Sequence, residues 1–293
     1  MIQRRKLLLL LPFLTAVVAA GWLTNLSSAH ASSTGNVIYH GGPVMAGNMK
    51  AYVIFWEPSG SFVSPKFNSL IKRYFRDIGD SGLYASNHQY TQTDGRAPIH
   101  AKLAGTFVDA SPYPSVPFLQ DADIQHEIMH AMSVQGWKPG INHAFFVYTA
   151  LNEFICAPSL FGGFCSAPNS HLCAYHFGFG TPDGVVLYGA MPYAGNSLTG
   201  CFRGSSVSSP NHDIDADAEI NLTSHEQMEL ATDPEGTGWF DTTGFFNGEI
   251  GDKCAGVFGP LDATGADVYF NGHPYIVQEE WDNAVSGCVI SGP

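Results

Sequence analysis

The chain has 293 residues, of which 45% are hydrophobic and 13% aromatic, a composition that supports a folded core and excludes intrinsic disorder. Its 26 acidic residues outnumber 13 basic residues and give a net charge of −13 at pH 7. Because such a surface repels phosphate backbones and anionic membranes, we expect neither nucleic acid nor a membrane as a partner of the mature chain.

Residues 1–31 have the pattern of a secretory signal peptide. Three basic residues precede an apolar run over 7–20, and the small-residue sequence "AHA" ends the segment. We expect cleavage after Ala31 and a secreted, extracellular domain of residues 32–293. The leader holds three of the 13 basic residues and no acidic one, so 10 basic and 26 acidic residues would remain, a net charge of −16.

Strand and helix patterns alternate along the mature chain. Apolar runs predict buried strands at 49–56, 100–108 and 143–151, and a hairpin of 172–179 with 184–193. Helical spacing predicts helices at 64–79, where Ser64 would be the cap, at 121–135 and at about 215–232. Since no linker or repeat interrupts the pattern, the sequence predicts one compact α/β domain with a mixed central sheet and flanking helices.

Six cysteines lie in the mature part, and an even number in an exported chain indicates three disulfides. We prefer a Cys254–Cys288 pair, because it would tie the C-terminal segment together. Cys173 and Cys201 flank two candidate strands and could bridge them, which would leave Cys156 with Cys165. Fifteen connectivities are possible for six cysteines, and the sequence does not choose among them.

Two stretches contain a histidine followed by a glutamate, the beginning of the H-E-x-x-H motif of zinc proteases. The first, "HEIMHAM" at 126–132, completes the motif with His126 and His130. A helical wheel places both histidines and Glu127 on the solvent face, opposite an apolar stripe of Ile124, Ile128, Ala131 and Met132. No third ligand follows at the spacing of the longer zinc motif. We therefore predict an amphipathic surface helix here instead of a zinc site.

The second stretch, "SHEQMELATDP" at 224–234, has a glutamate where the second histidine would stand. Its apolar residues point to most sides of the wheel, which predicts a buried helix. His225 and Glu229 share one face of this helix. Because a buried imidazole and a buried carboxylate each need a partner, two alternatives stay open: a metal site or a structural hydrogen-bond network.

A metal site on this helix would use His225 and Glu229 as ligands. Zinc is the ion we expect, at about 2.0–2.2 Å from its ligands. Calcium, manganese or no metal remain open, because carboxylates make this set harder than the usual histidine-rich zinc site. Glu226 would be the catalytic general base toward metal-bound water, as the glutamate of H-E-x-x-H is.

A further ligand has to come from outside the helix. The segment "GEIGDKC" at 248–254 offers Glu249 and Asp252, and a disulfide at Cys254 could hold it against the helix. His176, in the strand sequence "CAYHFGF", is an alternative ligand or a catalytic donor to an oxyanion.

Four of these stretches resemble one protein family. The sequences "VIYHGGPVM…AYVIFW" (37–56), "CAYHFGF", "TSHEQMELATDP…GWF" (223–240) and "EIGDKC" (249–254) are similar, in this order, to the phosphate-induced protein 1 or EXORDIUM-like secreted proteins of plants and their bacterial relatives. The resemblance implies an extracellular or wall-associated protein and no particular catalytic activity. The similar stretches include His225, Glu226 and Glu229, but not the histidine pair at 126 and 130.

Two functions from different classes are consistent with these observations. The first is a secreted, metal-dependent, peptidase-like hydrolase acting on extracellular peptides or proteins. The second is a non-catalytic module that binds cell-wall polysaccharide or a protein partner through the aromatic loops "WKPG" (137–140) and "GWF" (238–240). Metal content separates the two hypotheses.

Overall fold

The fold is described from a computed structural model covering residues 35–167, 172–202, 208–244 and 248–291. Five α-helices lie in these ranges: α1 (Phe67–Asp77), α2 (Gly82–Ala85), α3 (Asp121–Gln135), α4 (Leu198–Cys201) and α5 (Ile214–Thr232). The strands are β1 (Ile38–Tyr39), β2 (Met49–Trp56), β3 (Thr91–Gln92), β4 (Gly95–Arg96), β5 (Ala101–Asp109), β6 (Leu119–Gln120), β7 (His143–Tyr148), β8 (Ile155–Cys156), β9 (Tyr175–Thr181), β10 (Gly184–Met191), β11 (Trp239–Phe240), β12 (Val268–Phe270), β13 (His273–Tyr275), β14 (Glu280–Asp282) and β15 (Gly287–Val289).

The central sheet has five strands in the order β5-β2-β7-β10-β9. The first four run parallel to one another, and β9 pairs antiparallel with β10 at the edge of the sheet. The predicted mixed sheet and the predicted hairpin of β9 with β10 are therefore confirmed. The remaining strands form short two-stranded pairs around the sheet.

Helices cover both faces of the sheet. Along β2, Val53 and Phe55 belong to the core shared with α1 and α5, while Ile54 and Trp56 belong to the core shared with α3. Since both faces of this strand are buried, residues 51–56 form a continuous apolar run instead of an alternating pattern. The result is a three-layer α/β/α domain, with α5 across one face and α3 across the other.

Helix α1 begins later than the sequence pattern predicts. Its N-cap is Lys66, without a side-chain cap, and the expected cap residue Ser64 lies in the preceding turn. The Ser64 N–H donates to the Tyr193 hydroxyl at 2.9 Å, and the Lys66 N–H donates to Asp213 Oδ2 at 3.0 Å. Contacts from distant parts of the chain therefore satisfy the backbone groups that a local cap would have satisfied.

All six cysteines are paired, as Cys156–Cys165, Cys173–Cys201 and Cys254–Cys288. The preferred Cys254–Cys288 pair and the two other suggested pairs are confirmed. Disulfides are compatible with an extracellular protein. Within the described residues, no helix combines the length and apolarity that a membrane span requires. The predicted signal peptide, residues 1–31, lies outside the described residues and stays a prediction.

Candidate metal centre

Helix α5 carries the second histidine-glutamate motif through the interior of the protein. Asp213 caps the helix by accepting a hydrogen bond from the Ala216 N–H at 3.2 Å, as acidic residues do at the positive end of a helix. From Ala216 to Thr232, every residue except the partly exposed His225 is buried. The prediction of an enclosed helix is confirmed.

The His225 and Glu229 side chains meet on one face of α5. His225 Nε2 lies 3.1 Å from Glu229 Oε2 and 3.7 Å from Asp252 Oδ1. The second oxygen of Glu229, Oε1, accepts hydrogen bonds from the backbone N–H groups of Gly251 (3.1 Å) and Asp252 (2.9 Å). The 249–254 segment thus lies against the helix, and its backbone orients the glutamate so that Oε2 faces the histidine.

Gly251 allows this close approach. A Cβ atom at this position would lie 2.9 Å from both Glu229 Oε1 and His225 Nδ1, closer than side-chain carbons pack. The segment is held in place by the Cys254–Cys288 disulfide and by the Gln278 side chain, which donates to the Gly251 carbonyl at 2.7 Å. Glycine is therefore required here for the approach of backbone to side chain and not for a special turn.

His176 reaches the same cluster from the edge strand β9. Its Nδ1 lies 3.0 Å from Glu226 Oε2 and 3.5 Å from Glu229 Oε2. Its Nε2 lies 3.1 Å from the Asp233 carbonyl oxygen and 3.4 Å from Glu249 Oε1. The ring is buried, with carboxylate oxygens next to both nitrogens.

One carboxylate of the cluster was missed by the sequence reasoning. Glu280 of β14 is fully buried, and neither of its oxygens accepts a hydrogen bond. Its electrostatic neighbours include His225 and Asp252. The available signal was a pair of acidic residues that flank Trp281, since a buried carboxylate without a local partner points to a distant one.

Both imidazoles of the cluster are electrostatically stabilised as cations. Burial alone would lower the pKa of His176, but the carboxylates of Glu249 and Glu226 outweigh it and raise the pKa well above its usual value. Burial acts in the same direction on His225, and there Glu229 contributes most to raising the pKa well above its usual value. The pocket therefore attracts positive charge, whether protons or metal ions.

The carboxyl groups divide into two kinds. Burial would raise the pKa of Glu229, but His225 and then His176 outweigh it and lower the pKa. Burial, reinforced by the charges of neighbouring carboxylates, raises the pKa well above the usual value in Glu249, Asp252 and Glu280. Crowded carboxylates without enough cations are thus the dominant electrostatic feature of this cluster.

Two groups of ligand atoms in the cluster could hold a metal ion. One consists of His225, Glu229 and Asp252, and the other of His176, Glu229 and Glu249; within each group the atoms lie within 4.8 Å of one another. The structure thus brings together all the ligands predicted from the sequence, and places Glu226 beside them through its contact with His176. Their roles remain predictions.

The first motif has a different environment. His126 is exposed on α3, and His130 Nε2 lies 3.3 Å from Asp109 Oδ2 at the end of β5. Neither histidine belongs to a metal-ligand group among the described residues. The prediction that Glu127 faces solvent is wrong: it is 5% exposed, and the Asp109 carboxylate is an electrostatic neighbour. The wheel failed because it takes no account of the adjacent strand, which covers this side of the helix.

Comparison with known proteins agrees with the sequence resemblance. Residues 187–273 match the conserved region of phosphate-induced protein 1. The chain is also 27% identical over 290 residues to Protein EXORDIUM-like 3 of Arabidopsis thaliana, with 87% of this chain and 82% of the relative covered. No solved structure matches the chain. The chain is accordingly similar to the phosphate-induced protein 1 and EXORDIUM-like proteins, in agreement with the resemblance of its motifs.

Proposed function

We propose that the protein is a secreted, peptidase-like hydrolase that binds a divalent metal ion, with zinc the first ion to test, through His225, Glu229 and Asp252. The observation that carries the proposal is the convergence of one imidazole nitrogen and two carboxylate oxygens within 4.8 Å of one another, around the buried Glu229 and two partly exposed partners. These side chains come from α5 and from the 249–254 segment, which backbone hydrogen bonds to Glu229 hold against the helix. A constrained set of this kind favours a ligand role over a loose surface cluster.

The spacing of the donor atoms supports this assignment. A tetrahedral ion with bonds of about 2.0–2.2 Å separates neighbouring ligand atoms by about 3.4 Å. His225 Nε2 lies 3.1 Å from Glu229 Oε2 and 3.7 Å from Asp252 Oδ1, on either side of that value. Three protein ligands would leave a position for water, as catalytic zinc sites do.

Glu226 is the general base in this proposal. It follows the ligand His225 directly in the chain, as the glutamate does in H-E-x-x-H, and its carboxylate is buried next to the ligand cluster. A bound divalent ion would lower the pKa of a water ligand toward neutrality, and Glu226 would accept its proton. Peptides or proteins outside the cell are the substrate class that this chemistry fits.

The aromatic loops give less support to a binding module. Trp137 packs against the Tyr52 ring, with centroids 4.8 Å apart, and Trp239 lies between Tyr39 and Tyr90, each with its centroid 5.4 Å away. The Trp239 indole N–H donates to the Thr91 carbonyl. Side chains used in this way stabilise the domain itself, whereas a polysaccharide-stacking platform needs an open ring face.

Metal analysis and a peptide-cleavage assay on the secreted protein test the proposal. Wild type should retain zinc after dialysis and cleave a fluorogenic peptide library. Glu226→Gln should retain the zinc and lose cleavage, because an amide cannot accept the proton. His126→Ala, with its exposed side chain on α3, is the control and should match wild type. Absence of bound metal in wild type, or full cleavage by Glu226→Gln, would contradict the proposal.

A further inference from the structure

The tautomer of His176 is fixed by a backbone contact. The Nε2 atom lies 3.1 Å from the Asp233 carbonyl oxygen, which can only accept a hydrogen bond. Nε2 therefore carries the proton, and the lone pair of neutral His176 is on Nδ1. Histidines that bind metals usually donate their other N–H in this way, to a carbonyl or a carboxylate.

The lone pair of Nδ1 then points at negative charge. Glu226 Oε2 is 3.0 Å away and Glu229 Oε2 is 3.5 Å away, so a lone pair and carboxylate oxygens would face one another without a donor between them. Such a contact is repulsive unless a proton or a cation lies between the atoms. The Nδ1–Oε2 distance to Glu229 is close to the separation of about 3.4 Å expected for two ligands of one tetrahedral ion.

Glu249 supplies the third donor of this group, whose ligand atoms lie within 4.8 Å of one another, and its Oε1 is 3.4 Å from His176 Nε2. Its side chain is 5% exposed, and its Oε1 accepts no hydrogen bond. Burying a carboxylate oxygen without a donor costs free energy, so an unmet oxygen next to an imidazole indicates a missing cation. Lys253, the nearest basic residue in the sequence, contacts Asp241 at 2.7 Å instead.

One ion at His225, Glu229 and Asp252 would leave the negative charge of this second group uncompensated. Glu226 and Glu249 would still place two buried carboxyl groups beside His176. A divalent ion carries two positive charges, whereas a proton on His176 supplies one. A second metal ion would therefore compensate both carboxylates, whereas a proton on His176 compensates one.

From these contacts we propose that the cluster holds two divalent ions, the second bound by His176, Glu249 and a shared Glu229. This inference rests on the proposed function, which supplies the first ion. Glu229 Oε1 is occupied by two backbone N–H groups, so Oε2, which faces both histidines, is the shared donor. Two ions that share a carboxylate oxygen lie about 3.5–4 Å apart in known two-metal hydrolase sites, and both polarise the bound water or substrate.

Metal stoichiometry is the first test. The secreted protein is dialysed against zinc or manganese buffers, and bound metal per chain is measured by mass spectrometry. We expect two ions in wild type, one in His176→Ala and one in the nearly isosteric Glu249→Gln. His130→Ala, which alters a half-exposed histidine outside the cluster, should keep two. Circular dichroism of each variant identifies any that has not folded, and Glu249→Gln keeps the test valid if His176→Ala is unfolded.

Electron paramagnetic resonance of the manganese form provides a second readout that does not depend on activity. Two Mn²⁺ ions that share Glu229 should give a spin-coupled spectrum, which His176→Ala converts to the six-line spectrum of an isolated ion. One ion in wild type with an unchanged single site in His176→Ala would overturn the second site and leave the proposed function intact. Two ions in both proteins would refute the assignment to His176. No ion in wild type would remove both proposals.

Discussion

Two helices carry a histidine-glutamate motif, and they show that the motif alone does not determine whether further donor side chains lie close to it. On α3, "HEIMH" has both histidines of the zinc-protease pattern, yet His126 is exposed and His130 contacts only the edge of the sheet near Asp109. On α5, "HEQME" lacks the second histidine, yet its side chains face other buried donors from β9 and from the 249–254 segment. A metal site needs three converging donors, and only the enclosed helix has other elements packed close enough to supply them.

The largest expected effect separates the two helices directly. His225→Ala should reduce zinc affinity more than about 100-fold, a larger loss than removal of an outer-shell partner causes, because two carboxylates remain without their nitrogen donor. His126→Ala should leave zinc affinity unchanged and alter the unfolding free energy by less than about 0.5 kcal/mol. Zinc titration calorimetry and thermal melts measure both quantities. Loss of zinc in the His126 variant would reverse the assignment of the two helices.

Loss of the Cys254–Cys288 disulfide should lower the free energy of unfolding and also weaken zinc binding. The disulfide closes a loop with a sequence separation of 34 residues, so the double substitution Cys254→Ala/Cys288→Ala should cost about 4 kcal/mol of unfolding free energy by loop entropy. It should also weaken zinc binding, because the segment that carries Asp252 ends at this bond.

The short Cys156–Cys165 loop is the matched control for this prediction. Its sequence separation is 9 residues, so its removal should cost about 3 kcal/mol without an effect on zinc, since neither cysteine lies near the cluster. Urea unfolding and zinc titration of both double variants make the comparison. Equal zinc affinity in the two variants would show that the disulfide does not position the segment.

A smaller effect is expected at Gly251. In Gly251→Ala the new Cβ would lie 2.9 Å from Glu229 Oε1 and His225 Nδ1, so the segment must move away from α5. Overpacking of this kind costs about 1–3 kcal/mol, and we expect zinc affinity to fall by roughly 10–100-fold, as for other changes around a ligand shell. Gly180→Ala is the control, because nothing lies within 4 Å of its Cβ position. Unchanged zinc binding in Gly251→Ala would indicate that the segment is not part of the site.

The fold followed from local patterns, since β2 and α3 have the predicted boundaries and α5 differs by one residue at its start. Such elements depend on periodicity and on nearby stop signals such as Gly136, which adopts the left-handed conformation at the end of α3. The convergence of Glu249 and Asp252 on α5 could be anticipated only in part, because the disulfide at Cys254 joins their segment to β15 and not to α5. The position of Glu280 next to α5 could not be predicted, because a single sequence does not show which distant strand lies beside a buried helix.

The environment of Glu127 could not be predicted from the helical wheel for the same reason, and it leads to a prediction about stability alone. Burial, reinforced by the Asp109 carboxylate, raises the pKa of Glu127 from 4.5 to about 8. The folded protein therefore holds this proton between about pH 4.5 and pH 8, whereas the unfolded chain has released it. Over this range the native state binds more protons than the unfolded state, so the contribution of Glu127 to stability falls as pH rises and levels off above pH 8.

Glu127→Gln should remove this dependence, because the amide donates to Asp109 without a titrating proton. We expect the melting temperature of the variant relative to wild type to rise from pH 5 to pH 8, because linkage assigns this pKa shift an upper bound of about 3.5 kcal/mol of unfolding free energy over that range. Melts in a His130→Ala background isolate the effect from the histidine beside Asp109. The same pH slope in wild type and Glu127→Gln would mean that Glu127 is ionised in the folded protein. In that case α3, like α5, would contain a buried carboxylate that requires a cation.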